Sequence, residues 1–136
     1  MGLDNGFCIK STKRTLTRAD LPDFIYPWSK DIYEDGAIEI AYARKYWGMR
    51  NSLVNGIQWD DEKDGFFFIM NPETVLSVIR IVSDWHNRDR WDEESMSIWS
   101  YEEAENNLLN WIINLSLAYV YMLRNPDVYL FFYDSY

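Results

Sequence analysis

The chain has 136 residues, of which 48% are apolar and 26% are charged, and its formal net charge is −9. These values are typical of a globular protein, exclude a disordered chain and fit a single domain over residues 1–136. The negative charge would repel a phosphate backbone. We therefore expect no direct binding to nucleic acid, whereas a larger protein with a basic surface is an allowed partner.

Cys8 is the only cysteine, so the chain can form no internal disulfide, and we expect a reducing compartment such as the cytoplasm. Residues 1–10 lack a basic segment followed by an apolar one, which argues against a signal peptide. The longest apolar stretch, residues 108–123, is too short for an ordinary membrane span and includes Asn110, Asn114 and Ser116. The sequence therefore predicts a soluble protein with no membrane partner.

The first third of the chain predicts two short strands. Asp4-Asn5-Gly6 indicates a turn, and a strand over residues 7–11 follows it. Residues 12–35, which include two prolines, are expected to be irregular. The second strand is predicted over residues 37–42, where one face holds Ile38, Ile40 and Tyr42 and the other holds Glu39 and Ala41.

The middle of the chain changes to a helical period. A first helix is predicted over residues 44–55, ended by Asn55-Gly56. Residues 60–65 indicate an acidic turn, and the unbroken apolar run 66–70 indicates a strand covered on both faces. Asn71, Pro72 and Glu73 have the cap, ring and charge that favour the start of a helix, which is predicted to continue to about residue 87.

The third predicted helix is apolar on two sides. It follows a capping box at Ser100 and Glu103 and continues to Arg124. One apolar stripe contains Leu108, Trp111, Ile112, Leu115, Tyr119 and Met122, and a second contains Leu109, Ile113, Leu117 and Val120. Such a helix is either buried centrally or shared with another subunit, so a homodimer through this helix is one prediction, and an aspartate at Ile113 or Leu117 should split it. The alternative is that Asn110, Asn114 and Ser116 mark a wetter face that stays in solvent.

A last apolar strand is predicted over residues 128–133, after Asn125-Pro126. The element order is then β, β, α, β, α, α, β, with no repeated βαβ unit. This order predicts the α+β class, with a four-stranded, mostly antiparallel sheet and three helices packed on one face.

The sequence has no local catalytic or metal-binding signature. Asp84 and His86 would point in nearly opposite directions on a helix, and Cys8 has no neighbouring histidine. None of the six glycines forms a phosphate-binding loop. We therefore predict no catalytic residue, no metal and no cofactor, and a protein that is more consistent with binding than with an enzyme.

Two groups of residues are nevertheless candidates for a binding site, one for a protein partner and one for a nucleotide-like ligand. Aromatic residues make up 18% of the chain, and although most should be core, some could anchor a partner beside carboxylates that mimic phosphates. The alternative for these acidic runs is a solvated turn. The predicted partner-binding residues are Asp60, Asp61, Glu62, Asp64, Trp91, Asp92, Glu93, Glu94 and Trp99. A nucleotide-like ligand is the alternative, bound by Arg44, Trp47 and Arg50, whose cations and ring stand at helical spacing.

The opening residues Met1-Gly2-Leu3-Asp4-Asn5-Gly6 and the later segment from Arg44 to Asn51 resemble small proteins of phages and mobile elements of Firmicutes. In size and charge the chain is also similar to anti-CRISPR proteins. This resemblance implies a phage-encoded inhibitor of a host nucleic-acid-handling defence enzyme, acting as an acidic, non-enzymatic protein-binding module. The alternatives are a small-molecule binding protein or enzyme for a nucleotide-like ligand, and a structural accessory protein.

Overall fold

The computed structural model describes residues 4–25, 36–44, 46–57, 61–63, 67–87 and 101–135. The described elements are β1 (Asp4–Ser11), a short 3-10 turn (Arg18–Asp20), β2 (Ile38–Arg44), α1 (Trp47–Gly56), β3 (Asp61–Lys63), β4 (Phe67–Met70), α2 (Pro72–His86), α3 (Tyr101–Arg124) and β5 (Val128–Ser135). The order of strands and helices matches the predicted order, with β3 added.

The strands form one sheet in the order β2-β1-β5-β4-β3, and all the described pairings are antiparallel. The α+β class, the antiparallel sheet and the three helices are thus confirmed. All four predicted strands are present. The short β3 lies at the edge of the sheet and comes from the acidic stretch that was predicted to be a turn, because its backbone pairs with β4.

One face of the sheet carries the core. In β5 the residues Val128, Leu130 and Phe132 are buried, whereas Tyr129 and the other odd-numbered aromatics are half-buried on the opposite face. This is the period of two that a strand imposes. The buried set forms one cluster with side chains of all three helices, so the helices pack on this face.

A bulge breaks the predicted alternation in β2. The register of β1 with β2 shifts between Phe7 and Cys8, and Ile40 is the extra residue. Because a bulge adds one residue to one strand, the faces reverse across it. Ile38 and Tyr42, which were predicted to share a face with Ile40, therefore lie on opposite faces of the sheet.

Two predicted boundaries are wrong for the same physical reason. Asp4-Asn5-Gly6 is part of β1 and not a turn, because these residues pair with β2 on one side and with β5 on the other. Likewise β2 extends through Arg44 by pairing with Asp4, and α1 begins only at Trp47. Pairing between distant strands overrides the local turn and helix propensities.

The start of α2 agrees with its sequence signals. The Asn71 side-chain oxygen accepts a hydrogen bond from the Thr74 amide at 2.9 Å, and Pro72 occupies the first helical position. This cap satisfies one of the amides that a helix leaves free at its start. The predicted capping box of α3 includes Ser100, which lies outside the described residues.

Residues 12–25 follow the edge of the core. Leu16 and Leu21 are buried, each about 1% exposed. Arg14 ties this segment to the end of α3, because its guanidinium donates to the Tyr121 hydroxyl at 2.9 Å and to Asp127 Oδ2 at 3.3 Å. This segment, which was predicted to be irregular, is therefore held in place by two buried leucine side chains and by the hydrogen bonds of Arg14.

Candidate docking face on the third helix

The inner face of α3 is held firmly against the sheet. Trp111 is about 1% exposed, and its ring meets the Phe7 ring edge-on, with centroids 5.4 Å apart. The buried residues of this face are Leu108, Trp111, Asn114, Leu115, Ala118 and Met122. These residues recur at helical spacing and use one full side of the helix.

Asn114 fastens the middle of α3 to two other segments. Its side-chain amide donates to the carbonyls of Ile25 and Ile40, each at 2.7 Å, and its oxygen accepts from the Ile25 amide at 2.9 Å. Asn114 is about 1% exposed. The alternative prediction of a wet face through Asn110, Asn114 and Ser116 is therefore wrong for Asn114, which satisfies buried backbone groups.

The opposite side of α3 is apolar and open. Leu109 is 44% exposed, Ile113 37%, Val120 43% and Leu123 57%. Ser116 lies in the same row, and its hydroxyl donates to the Ile112 carbonyl at 2.7 Å. The inner face already meets the core, so these side chains are apolar surface in excess of what the sheet can cover.

The spacing of this row is regular. Leu109, Ile113, Ser116, Val120 and Leu123 follow at steps of four, three, four and three residues. Alternating steps of three and four give the narrow seam by which one helix packs along another. We call these five residues the α3 seam.

The α3 seam carries no charge in a strongly acidic protein. From Asn106 to Leu123 the sequence has no Asp, Glu, Lys or Arg, and exposed Arg124 comes directly after it. Charge depletion at the centre of an apolar patch is a property of protein–protein interfaces. The chemistry that this face can supply is therefore burial against another protein surface, not catalysis.

The predicted acidic partner-binding residues fall mainly outside the described part of the chain. Asp60, Asp64, Trp91, Asp92, Glu93, Glu94 and Trp99 lie outside it. Asp61 and Glu62 belong to β3, whose backbone alone is described, at the sheet edge farthest from β2. Their role in binding a partner stays a prediction.

The residues of the alternative ligand site lie around the junction of β2 and α1. Arg44 ends β2 and Trp47 begins α1, both described by backbone only. Arg50 is half-buried, and its guanidinium donates to the Asn51 side-chain oxygen at 3.0 Å. The three residues lie within seven positions of one another in the sequence, and a nucleotide-like ligand stays a prediction.

His86 contacts its neighbour in sequence: the ring atom Nδ1 lies 3.1 Å from the side-chain oxygen of Asn87. In the described part of the chain no three His, Cys, Asp or Glu side chains come together as a metal site. Of the helices described, none has both the length and the apolar content needed to cross a membrane.

Three polar features inside the fold were not anticipated. Asn5 is fully buried beside the core, and within the described residues neither its amide nitrogen nor its oxygen has a hydrogen-bond partner; the same is true of the Trp111 ring nitrogen. On the other face of the sheet, the Tyr133 hydroxyl donates to buried Glu39 at 2.5 Å. Buried polar groups without partners cost stability, so Asn5 is a place where the chain departs from an ideal core.

The sequence predicted the second apolar stripe but not its composition. Leu117, assigned to that stripe, is half-buried on the flank of the helix, whereas Leu123 is the most exposed member of the observed row. The alternating three- and four-residue steps through Ser116 are the signal that would have identified the α3 seam, because a polar residue at its centre interrupts a purely apolar pattern.

The fold and the α3 seam thus define an α+β protein with an exposed, uncharged helix face. Among known proteins, no family model, no curated protein and no solved structure matches the chain. The assignment of function therefore depends on the physical properties of the surface itself.

Proposed function

We propose that this chain is a non-enzymatic protein-binding module. The observation that carries this proposal is the α3 seam, in which four large apolar side chains are each 37–57% exposed. A large apolar patch on the surface of a soluble protein often marks a binding site, and only Ser116 interrupts the apolar side chains of this row. The uncharged row on an otherwise acidic chain supports a protein surface as the ligand.

The net charge of −9 supports a second contact, with a basic partner. Acidic surface attracts a basic surface at a distance and raises the rate of encounter. The concrete form of the proposal is a phage-encoded inhibitor that acts in the bacterial cytoplasm on a nucleic-acid-handling defence enzyme. Such an enzyme has a basic channel for nucleic acid, which the acidic stretches 60–64 and 92–94 would occupy.

The test is capture of a partner followed by a measurement on the purified pair. The full chain is immobilised, exposed to a lysate of a Firmicutes host, and the retained protein is identified and expressed. We expect a basic protein whose affinity falls as salt rises, because salt screens charge pairs at the rim of an interface.

Neutralising variants locate the contact. Combined Asp92→Asn, Glu93→Gln and Glu94→Gln substitutions should weaken binding at least tenfold. The matched control is Glu73→Gln with Asp84→Asn, two exposed acidic residues of α2, which should leave the affinity unchanged. Absence of any protein partner, together with turnover of a small substrate, would contradict the proposal.

A further inference from the structure

We infer that the α3 seam binds a second copy of this chain, as an antiparallel pair of α3 helices related by a two-fold axis at Ser116. This inference rests on the proposed protein-binding function and names the occupant of one surface. The basic partner proposed for the acidic stretches 60–64 and 92–94 is a separate contact.

The symmetry of the α3 seam carries the inference. Counted from Ser116, the row has a member seven residues away on each side, Leu109 and Leu123, and members three and four residues away, Ile113 and Val120. When two such helices pack antiparallel about Ser116, Leu109 of one copy meets Leu123 of the other, and Ile113 meets Val120. A two-fold interface requires a surface that is complementary to itself in this way.

The centre of the row suits a close approach of two helices. Ser116 is small and exposed, and its hydroxyl is already bonded to the Ile112 carbonyl, so burying it leaves no donor without a partner. Small residues at a crossing point let helix backbones approach, while the larger side chains on either side interdigitate. Asn114, two residues away and on the inner face, keeps its own hydrogen bonds.

Charge favours the antiparallel direction. The α3 seam is neutral, so two acidic chains meet there without like charges in contact. In the antiparallel pair Arg124 of one copy lies within about one helical turn of the partner's first α3 turns. In sequence those turns hold Glu102, Glu103 and Glu105, so the antiparallel direction brings Arg124 toward an acidic stretch at each end of the contact.

The size of the row predicts a weak dimer. From Leu109 to Leu123 the row is about 21 Å long, and a helix is about 10 Å wide. This contact is smaller than the ~800 Å² per partner of a standard stable interface. Monomer and dimer should therefore exchange at micromolar concentration.

Cross-linking at the axis tests the geometry. A two-fold axis at Ser116 brings the two copies of this residue together, so the Ser116→Cys variant of the full chain should form a covalent dimer under mild oxidation. The matched control is Ser77→Cys, at an exposed serine of α2. Native Cys8 is buried, so we expect it to contribute no cross-link in either variant. We expect at least tenfold faster cross-linking at position 116, and equal rates or no dimer would overturn the inference.

A charge at the axis tests the energetics. Ser116→Asp places two like charges together in the dimer, whereas Ser77→Asp adds the same charge elsewhere. Light scattering should show a dissociation constant raised at least tenfold for Ser116→Asp alone, and circular dichroism checks that both variants are folded. Monomeric wild-type protein that still binds a basic partner overturns this inference and leaves the proposed function intact. A dimer that binds no other protein and turns over a small substrate would support this inference and contradict the proposed function.

Discussion

At the scale of single residues, Gly6 lies where the sheet has no room for a side chain. A methyl group built on it would come within 2.2 Å of the Ala41 carbonyl oxygen and 3.0 Å of the Tyr133 ring. The absence of a side chain at Gly6 lets the Tyr133 ring lie over β1, and the hydroxyl of that tyrosine reaches Glu39 on β2. Gly6 therefore couples three neighbouring strands on the face away from the helices.

Gly6→Ala should lower the free energy of unfolding by about 1–3 kcal/mol, because the new methyl group overpacks the backbone. Gly56→Ala is the matched control. Its methyl group would lie 3.4 Å from Ile81 Cδ1, and alanine favours a helix, so its stability should be unchanged or higher by up to about 1 kcal/mol. Urea unfolding measures both. Equal stability of the two variants would show that the sheet accommodates a side chain at Gly6.

Asp127 makes the stability of the folded state depend on pH in the acidic range. The Ser11 hydroxyl donates to this carboxylate at 2.5 Å, and with the nearby Arg14 guanidinium it holds the pKa of Asp127 below its ordinary value. A carboxyl group with a lowered pKa in the folded state stabilises that state above the unfolded pKa of about 3.9. The stabilisation is lost as the pH falls through the folded pKa.

We therefore expect stability to fall below about pH 4, and Ser11→Ala should reduce this dependence because it removes the main cause of the shift. The gap in melting temperature between wild type and Ser11→Ala should be wide at pH 6 and narrower at pH 2.5. Asp23→Asn, at an exposed residue of the same segment, is the control. A gap that stays constant from pH 6 to pH 2.5 would contradict this account.

Among the helices and strands, α3 is anchored to the sheet through the side chain of Asn114. Its three hydrogen bonds join the helix to the backbone of Ile25 and to the bulge at Ile40. Asn114→Asp keeps the shape but loses both donated bonds and turns a negative oxygen toward two carbonyls. We expect a loss of at least about 2 kcal/mol, since buried groups are left without partners.

The control for this prediction lies on the same helix. Asn106→Asp makes the same chemical change at an exposed position and should alter the free energy of unfolding by no more than about 0.5 kcal/mol. Chemical denaturation compares the two. If both variants have wild-type stability, the three hydrogen bonds of Asn114 do not hold the helix in place.

The elements also show what local sequence can and cannot predict. α2 was predicted closely because its cap, proline and apolar period all agree. The start of β1 and the end of β2 were missed, because each depends on a strand that is distant in sequence. The short β3 pairs with its neighbour β4 and was missed because acidic residues have a low propensity for strands. Both stripes of α3 are apolar, so composition alone could not say which would meet the sheet. The ring contact between Trp111 and Phe7 shows that the stripe containing Trp111 is the one that faces the sheet.

At the scale of the whole molecule, two surfaces with opposite responses to salt follow from the account. Two copies with a net charge of −9 each repel one another, so salt should strengthen their contact through the neutral α3 seam. Binding of a basic partner should weaken with salt, since it depends on attraction between unlike charges. The two kinds of association can therefore be separated without any mutation.

We claim that the exposed face of α3 pairs two copies of the chain, and the mass of the wild-type protein in solution shows whether it does. Sedimentation equilibrium from low to high micromolar concentration should give a mass that rises from 16.3 kDa toward twice that value, and rises further at high salt. A mass of 16.3 kDa at every concentration and salt level would contradict the claim.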